Sequence, residues 1–181
     1  MSEVVEKIDK RFLLQIFDSV QQSVIVTDTN ANVLLWNKYA ENLYGYSKEE
    51  AIGKTTIELI SPVEQIDENV KKVEEIANGN VTVSEYLVKN KDGKIFPVII
   101  HLSPILNDKN EVIGLVGTSH DISEKKAHEI AIIESEKRFK ALYEHSPDMY
   151  VSVSPKDASV LMCNDTFLNK TGYTRTEVIG S

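Results

Sequence analysis

The stretch Trp36–Gly53 decides the fold of this chain and reads WNKYAENLYGYSKEEAIG. Asn37 follows an apolar run and is typical of a helix N-cap, because its side-chain carbonyl can accept a backbone N–H of the first turn. Ala40, Leu43 and Tyr44 recur at helical spacing and form one apolar face. The pattern therefore predicts that a strand ends here and that a short helix with one buried face follows.

The second half of the stretch predicts a sharp turn and another short helix. Gly45 stands where a left-handed residue commonly ends a helix, and glycine adopts that conformation without steric cost. Ser47 and Glu50 have the spacing of a capping box, in which each side chain accepts a hydrogen bond from the backbone N–H of the other residue. We expect Ile52 to pack against the core and Gly53 to end this helix.

The same pattern occurs a second time, displaced by 127 positions. No gap is needed, and the match continues upstream into the segments that precede the stretch. A period of this length is too long for a solenoid repeat and indicates tandem copies of a whole domain. The matched pairs include Asn37 with Asn164, Asn42 with Asn169, Gly45 with Gly172, Glu50 with Glu177, Phe12 with Phe139, Ser19 with Ser146, Val24 with Val151 and Val26 with Val153.

These residues resemble the opening of PAS sensor domains, through Ile25–Asp28, Val33–Asn37 and Gly45–Lys54. Asp121–Lys126 is similar to the motif that closes such domains, at a separation suited to one domain of roughly a hundred residues. The resemblance covers almost the entire chain. It implies an α+β PAS fold, with a five-stranded antiparallel sheet, helices on one face and the first and last strands side by side.

Composition and charge narrow the range of partners. The 181 residues carry a formal net charge of -8, so no basic surface is expected for nucleic acid or an anionic membrane. Cys163 is the single cysteine, which excludes an intramolecular disulfide and fits a reducing compartment. No apolar run approaches the roughly 18 residues that a membrane span needs, so we expect a cytoplasmic location.

Apolar residues recur at helical spacing between Ser2 and about Val20, which predicts an N-terminal amphipathic helix. Two interpretations of its apolar stripe stay open. The stripe docks on the chain's own domain, or it forms a dimer contact. Its members are Val5, Ile8, Phe12, Ile16 and Val20.

The rest of the first copy predicts a hairpin, a longer helix and three further strands. Ser61, Pro62 and Glu64 have the features of a helix start, and apolar spacing continues that helix to a stop at Asn78–Asn80. Pro97 lies inside one strand and predicts an edge position or a bulge, because proline cannot donate to the ladder. The order is typical of an α+β fold with helices on one face of an antiparallel sheet. The predicted strands are 23–28, 32–36, Val81–Lys89, Lys94–Leu102 and Glu111–His120.

A helical pattern from Asp121 to about Glu144 places Ile122, Ile130 and Ile133 in approximate heptads and predicts a marginal two-stranded coiled coil. The second copy then runs to the end of the sequence without counterparts of the main helix and the last three strands. We therefore expect a fragment of a longer sensor protein, whose second copy is poorly ordered or stabilised by a partner chain. The predicted domains are an N-terminal amphipathic helix at 1–22, PAS domain 1 at 23–122, a helical linker at 123–144 and an incomplete PAS domain 2 at 145–181.

The resemblance implies a ligand site between the sheet and the helices. The light-sensing flavin class carries a reactive cysteine where this chain reads KTTI at 54–57, and a glutamine where it has Ser119, so covalent flavin photochemistry is not expected. The haem-binding class uses a histidine on the long helix, and residues 61–79 contain none; His101 and His120, on predicted strands, are the histidines left for that role. A flavin held without a covalent bond, or a small metabolite, stays open.

In the family, Trp36 and Asn37 correspond to a pocket-facing strand end, where an indole can stack on a flavin ring. The alternative is that Trp36 fills the core and Asn37 only caps the helix. The same two interpretations apply to Tyr44 and Tyr46. The candidate cofactor-binding residues are Trp36, Asn37, Tyr44, Tyr46 and Ser119.

No catalytic constellation, zinc-like spacing or nucleotide-binding motif occurs in the sequence, and His128-Glu129 lacks the basic residue and proline that follow a kinase phosphoacceptor histidine. We expect a non-enzymatic sensory module of a signal-transduction protein, such as a sensor histidine kinase. Ligand or partner binding would reach an output domain through the linker helix, with Asp121, Ile122 and Ser123 as the hinge. We also expect a homodimer through the N-terminal helix and linker. The alternative function is a ligand-free dimerisation or protein-interaction module.

Overall fold

The computed structural model describes residues 9–66 and 81–181, which fold into two compact units. The first unit extends to Glu124, and the second is Lys125–Ser181. In the described parts of the chain, no helix has both the length and the hydropathy to cross a bilayer. Each unit has its own sheet, so each is described separately.

The described residues of the first unit, 9–66 and 81–124, include four short α-helices, a 3-10 turn and five strands. Helix α1 is Lys10–Ser19, followed by β1 at Ser23–Thr27 and β2 at Val33–Trp36. Three helices come next, α2 at Lys38–Tyr44, α3 at Lys48–Ala51 and α4 at Thr56–Ile60, and then the 3-10 turn Val63–Gln65. The remaining strands are β3 at Thr82–Lys89, β4 at Ile95–Leu106 and β5 at Val112–Asp121. Helix α5, Ser123–Glu144, begins directly after β5.

The five strands form one antiparallel sheet in the order β2-β1-β5-β4-β3. The first and last strands are neighbours, with Ile25 opposite Gly117. The predicted α+β class and sheet order are therefore confirmed. The sequence pattern also predicts the strands to within a few residues, except that β4 continues to Leu106.

Both caps predicted around α2 and α3 are present. Asn37 Oδ1 accepts a hydrogen bond from Ala40 N at 2.9 Å, and Gly45 ends α2 with φ 78°. Ser47 and Glu50 form the reciprocal capping box of α3. One detail is wrong, because Ile52 is 45% exposed and does not pack into the core.

Aromatic side chains from β2, α2 and β4 form the centre of the core. The ring centroids of Trp36 and Tyr44 lie 5.5 Å apart, and those of Tyr44 and Phe96 lie 6.3 Å apart. Trp36 is 1% exposed and donates from Nε1 to the Tyr46 carbonyl at 3.2 Å. Large, tilted aromatic contacts of this kind stabilise a core beyond simple area burial.

Helix α1 is attached to the first unit by polar contacts rather than by its apolar stripe. Asn37 Nδ2 donates to the Phe17 carbonyl, and Lys38 N donates to the Asp18 carboxylate, both at 3.2 Å. The interpretation that the stripe docks on its own domain is wrong for the described residues. Val5 and Ile8 lie outside those residues, and the predicted members Phe12, Ile16 and Val20 are exposed. Together with the exposed Leu13, which the prediction did not include, they are called the α1 stripe.

Two local predictions in the first unit need correction. Strand β4 lies between β5 and β3, so Pro97 is not on an edge strand, and the bulge of β4 falls at Ile105/Leu106 instead. Pro97 is tolerated because pairing with β5 begins only at Val98, opposite Asp121. Ser61 ends α4 rather than capping a new helix, and only the 3-10 turn of the predicted long helix is seen, since residues 67–80 lie outside the described part.

The second unit repeats the first half of the first unit. Strands β6 at Val151–Val153 and β7 at Val160–Cys163 form a hairpin, followed by α6 at Asp165–Thr171 and α7 at Arg175–Val178. Asn164 caps α6 as Asn37 caps α2, and Gly172 ends it with φ 78°. The duplicated pattern therefore folds into the same local elements in both copies.

The ungapped alignment of the two copies is wrong by one residue upstream of the hairpin turn. Ile25 pairs with Trp36 in the first copy, whereas Val151, not Ser152, pairs with Cys163 in the second. The loop after β6 is one residue longer than the loop after β1, and this extra residue shifts every earlier position. The contacts of the preceding helices follow the shifted register, because Asp165 N bonds to Glu144 as Lys38 N bonds to Asp18.

The heptad interpretation of α5 also changes. Ile122 is 3% exposed, so it belongs to the core of the first unit and is not available to a coiled-coil seam. Ile130 and Ile133 are 57% and 50% exposed. The coiled coil itself stays a prediction.

Candidate functional site

A cavity of about 90 Å³ lies in the first unit between the sheet and the helices. A volume of this size holds several waters or a small organic molecule. Strands β1, β3, β4 and β5 and helices α2 and α4 all contribute to its wall. The apolar part of the wall includes Ile25, Ile57, Ile60, Val88, Leu102 and Leu115.

Hydroxyl groups supply the polar part of the wall. None of the lining residues in the described chain carries a formal charge, and the described residues contain no cluster of metal ligands. Such a wall suits a neutral molecule better than an ion, because a buried ion needs a charged partner. The hydroxyl-bearing residues are Thr27, Tyr44, Thr56, Ser61, Tyr86 and Ser119.

A buried cluster of three hydroxyls lies where α2 meets β1 and β5. The Tyr44 hydroxyl and Ser119 Oγ are 2.7 Å apart, and either atom can be the donor. Ser23 is opposite Ser119 in the sheet, is 0% exposed, and its Oγ has no hydrogen-bond partner. We call Ser23, Tyr44 and Ser119 the hydroxyl cluster.

Burial controls the ionisation of this cluster. Removal of the Tyr44 ring from water raises its pKa to about 12, because the charged phenolate loses its hydration. The nearby hydroxyls of Ser119 and Ser23 oppose this rise, although Ser23 Oγ does not reach hydrogen-bond geometry. Tyr44 is therefore a neutral hydrogen-bonding group at physiological pH.

A glycine on β5 keeps part of the cavity open. Gly117 lines the cavity, and a Cβ placed on it would lie 2.9 Å from Leu102 Cδ2. A larger residue would force the Leu102 side chain to move. The cavity therefore depends on the absence of a side chain at this position.

The end of β5 connects the cavity wall to α5. Asp121 Oδ1 accepts a hydrogen bond from Ser123 N at 2.7 Å and so satisfies a free N–H at the start of the helix. Ile122 N donates to the Pro97 carbonyl at 3.1 Å, which ties the same junction to β4. Only one residue, His120, separates the cavity residue Ser119 from Asp121.

The structure separates the five predicted cofactor-binding residues into two groups. Tyr44 and Ser119 line the cavity. Trp36, Asn37 and Tyr46 are not among its lining residues, so the structure does not bring them to this cavity. Trp36 fills the core, so it is not placed to stack on a ligand in this cavity.

Asn37 has a structural role in place of the predicted one. Its Oδ1 accepts from Val24 N and Ala40 N, and its Nδ2 donates to the carbonyls of Phe17 and Gln22. All four hydrogen-bonding positions of the amide are occupied. Asn37 therefore joins α1, β1 and α2 and has none left for a ligand.

Sequence reasoning missed most of the wall. The wall could have been predicted from strand alternation, because every second residue of a strand faces the same side of the sheet. The lining residues of β1 and β5 follow this alternation and are Ile25, Thr27, Leu115, Gly117 and Ser119. His101 and His120 occupy the alternate positions, are exposed and do not line the cavity. The structure therefore brings neither histidine to the site.

Comparison with known proteins agrees with this geometry. Sporulation kinase C from Bacillus subtilis is 23% identical over 125 residues, which are 68% of this chain and 29% of that protein. Phytochrome B from Sorghum bicolor is 23% identical over 179 residues, covering 94% of this chain and 15% of that protein. The chain thus spans less than a third of the length of these relatives.

A solved structure and two family patterns are also similar to this chain. The PAS domain of a protein from Colwellia psychrerythraea superposes with a TM-score of 0.56 at 29% identity, over 63% of this chain and 97% of that chain. The pattern described as PAS domain matches residues 147–181. The pattern described as PAS fold matches residues 11–122, which is more than half of the sequence. The chain therefore belongs to the PAS family.

Proposed function

We propose that this chain is the sensory part of a signal-transduction protein, in which occupancy of the first-unit cavity changes how β5 holds the start of α5. The family is a sensory one, and sporulation kinase C, a relative, is by name a kinase. We propose a sensor histidine kinase as the parent protein. Helix α5 would carry the change to an output domain.

One observation carries this proposal. Strand β5 lines the cavity with Leu115, Gly117 and Ser119, and the same strand ends at Asp121, whose carboxylate caps α5. A ligand that shifts β5 by a few tenths of an ångström also shifts this cap. The two states would differ in how firmly the first turn of α5 is held, which is a population shift of a bistable junction.

The test uses a substitution that mimics an occupied cavity. In the full chain, Gly117→Ala places a methyl group against Leu102, and that side chain, which lines the cavity, must shift. We expect the amide exchange rates of Ser123–Lys126 to change, measured residue by residue by NMR. Thr118→Ala, on the same strand but not in the cavity wall, is the matched control and should leave these rates unchanged.

The hinge is tested in the same assay. Asp121→Ala removes the acceptor for Ser123 N, so the double variant Gly117→Ala/Asp121→Ala should lose the response at α5 while the cavity residues still respond. A response that persists without Asp121 would refute the hinge. A cavity that changes without any effect at α5 in Gly117→Ala would refute the coupling.

A second candidate function is a ligand-free dimerisation module. The exposed stripe on α1, with Phe12, Leu13 and Ile16 each 46–55% exposed, favours it. An absorption spectrum and a native mass spectrum of freshly purified chain separate the two functions. A bound small molecule supports the sensor, whereas a dimer without any bound mass supports the interaction module.

A further inference from the structure

We propose that the cavity selects an uncharged small molecule that presents one hydrogen-bond acceptor, a carbonyl or ether oxygen, to the Tyr44–Ser119 pair of the hydroxyl cluster. This inference rests on the proposed sensory function and adds the chemical class of the ligand. It is drawn from the count of donors in the cluster and from the charge of the cavity wall.

The hydroxyl cluster has more donors than its own acceptors use. Three hydroxyls carry three protons, and one hydrogen bond, between Tyr44 and Ser119, uses one of them. Whichever atom of that pair donates, the proton of the other remains available. Ser23 Oγ is fully buried without a partner and adds a further unused donor.

An unused donor in a buried site is unfavourable, because it has lost its hydrogen bond to water. The Tyr44–Ser119 pair lines the cavity, so its unused hydroxyl proton can be donated to an acceptor oxygen of a bound molecule. The cavity therefore offers a ligand oxygen a stronger interaction than it offers a hydrocarbon of the same size.

The charge of the ligand follows from the rest of the wall. A carboxylate also has acceptor oxygens, but its burial needs a cationic partner. No lining residue in the described part of the chain supplies one, since the rest of the wall consists of apolar and neutral hydroxyl-bearing residues. Tyr44, with its pKa raised to about 12, also stays a donor at neutral pH. The site therefore favours a ketone, ester or ether over an acid of similar size.

Three probes of similar size test the proposal with the full 181-residue chain. Dissociation constants for cyclopentanone, cyclopentane and cyclobutanecarboxylate are measured from shifts of the cavity amides in NMR spectra at neutral pH. Because transfer out of water favours the hydrocarbon, the hydrogen bond is measured as the ratio of the cyclopentanone affinity to the cyclopentane affinity. We expect this ratio to be about three- to tenfold higher in the native chain than in a variant without the Tyr44 and Ser119 hydroxyls. The carboxylate should bind more weakly than either.

A double variant locates the interaction. Tyr44→Phe/Ser119→Ala removes both hydroxyls, since either one alone could still donate, and should lower the ratio of the cyclopentanone affinity to the cyclopentane affinity by this factor. Tyr39→Phe, on the same helix but not in the cavity wall, should keep the native ratio. The infrared C=O stretch of isotope-labelled cyclopentanone bound to the native chain gives an independent measurement, and a hydrogen bond should lower it relative to cyclopentanone in cyclohexane.

The outcomes distinguish the ligand class from the sensory function. A cyclopentanone-to-cyclopentane affinity ratio that is unchanged in the double variant, tighter binding of the carboxylate, or an unshifted C=O stretch would overturn the ligand class and leave the cavity as a sensor site. Absence of binding for all three probes would overturn both this inference and the small-molecule sensor.

Discussion

Asn37 is the residue on which three elements of the first unit depend. Its amide makes four hydrogen bonds, to Phe17, Gln22, Val24 and Ala40, and it is 0% exposed. We expect Asn37→Ala to lower the free energy of unfolding of the first unit by about 2 to 4 kcal/mol, because a cap is lost and buried backbone groups lose their partners.

Amide exchange of β1 and β5 measures this loss. Asn30→Ala, an exposed position in the turn of the same hairpin, is the control and should change stability by less than about 0.5 kcal/mol. Protected amides in β1 and β5 that exchange at the native rate in Asn37→Ala would contradict the structural role of this residue.

The raised pKa of Tyr44 predicts that the first unit loses stability at alkaline pH. Its folded-state pKa is about 12, against 10.0 for a free tyrosine, so only the folded state keeps the proton between these values. The contribution is fully present below about pH 10 and is lost as the pH rises towards 12, by about 2 to 3 kcal/mol.

The comparison with Tyr44→Phe isolates this effect, because the other tyrosines ionise in both proteins. Urea unfolding followed by circular dichroism at about pH 9 and about pH 12 should show that the wild-type chain loses about 2 to 3 kcal/mol more than the variant. Equal losses would mean that Tyr44 ionises normally in the folded state.

Residue roles that depend on near neighbours were predictable from the sequence. The cap at Asn37, the left-handed Gly45 and the Ser47–Glu50 capping box need only the local chain, and all three are confirmed. The sequence left the choice between core and pocket open for Trp36 and Tyr46, and the reason is non-local. Whether an inward-facing residue meets the core or the cavity depends on which helix lies above it, and spacing along the chain does not contain that information.

At the scale of elements, Arg175 holds the end of α5 inside the second unit. Its guanidinium donates to the Cys163 carbonyl at 2.6 Å, to Glu144 at 2.8 Å and to Asp165 at 2.9 Å. Its side chain is 43% exposed, so we expect only about 1 kcal/mol of destabilisation of the second unit from Arg175→Ala.

Faster amide exchange in the last turn of α5 is the measurement. Arg175→Lys should recover only part of the protection, because an ammonium group cannot fork between three acceptors. Lys170→Ala removes an exposed lysine with a marginal 3.5 Å contact and serves as the control. Full protection in Arg175→Lys would show that charge alone is sufficient.

The presence of two copies was predictable at the scale of elements. The alignment of the residues that precede the hairpin turn in each copy was not. Val24 and Val26 match Val151 and Val153 without a gap, and this coincidence hid the extra loop residue. The pairing of β6 with β7 decides the alignment, because its hydrogen bonds place Val151 opposite Cys163. The last turns of α5 consequently make the contacts in the second unit that α1 makes in the first.

At the scale of the whole molecule, the α1 stripe predicts self-association. Phe12, Leu13 and Ile16 are exposed together on one helix, and burial of such a face is a common source of dimer stability. We expect the chain to sediment as a concentration-dependent dimer and Ile16→Glu to shift it to monomer. Lys10→Glu, which introduces the same charge on the same helix outside the stripe, should leave the dimer intact, and a monomeric wild-type chain at high concentration would contradict the prediction.

The matched positions of the two copies also carry two unique chemical labels. Trp36 is the single tryptophan and Cys163 the single cysteine, and they occupy the same strand end in the first and second units. Both are almost completely buried. Indole fluorescence therefore reports opening of one unit, while thiol modification by a disulfide reagent reports opening of the other. A single unlabelled sample can thus show whether the two copies unfold together or in sequence.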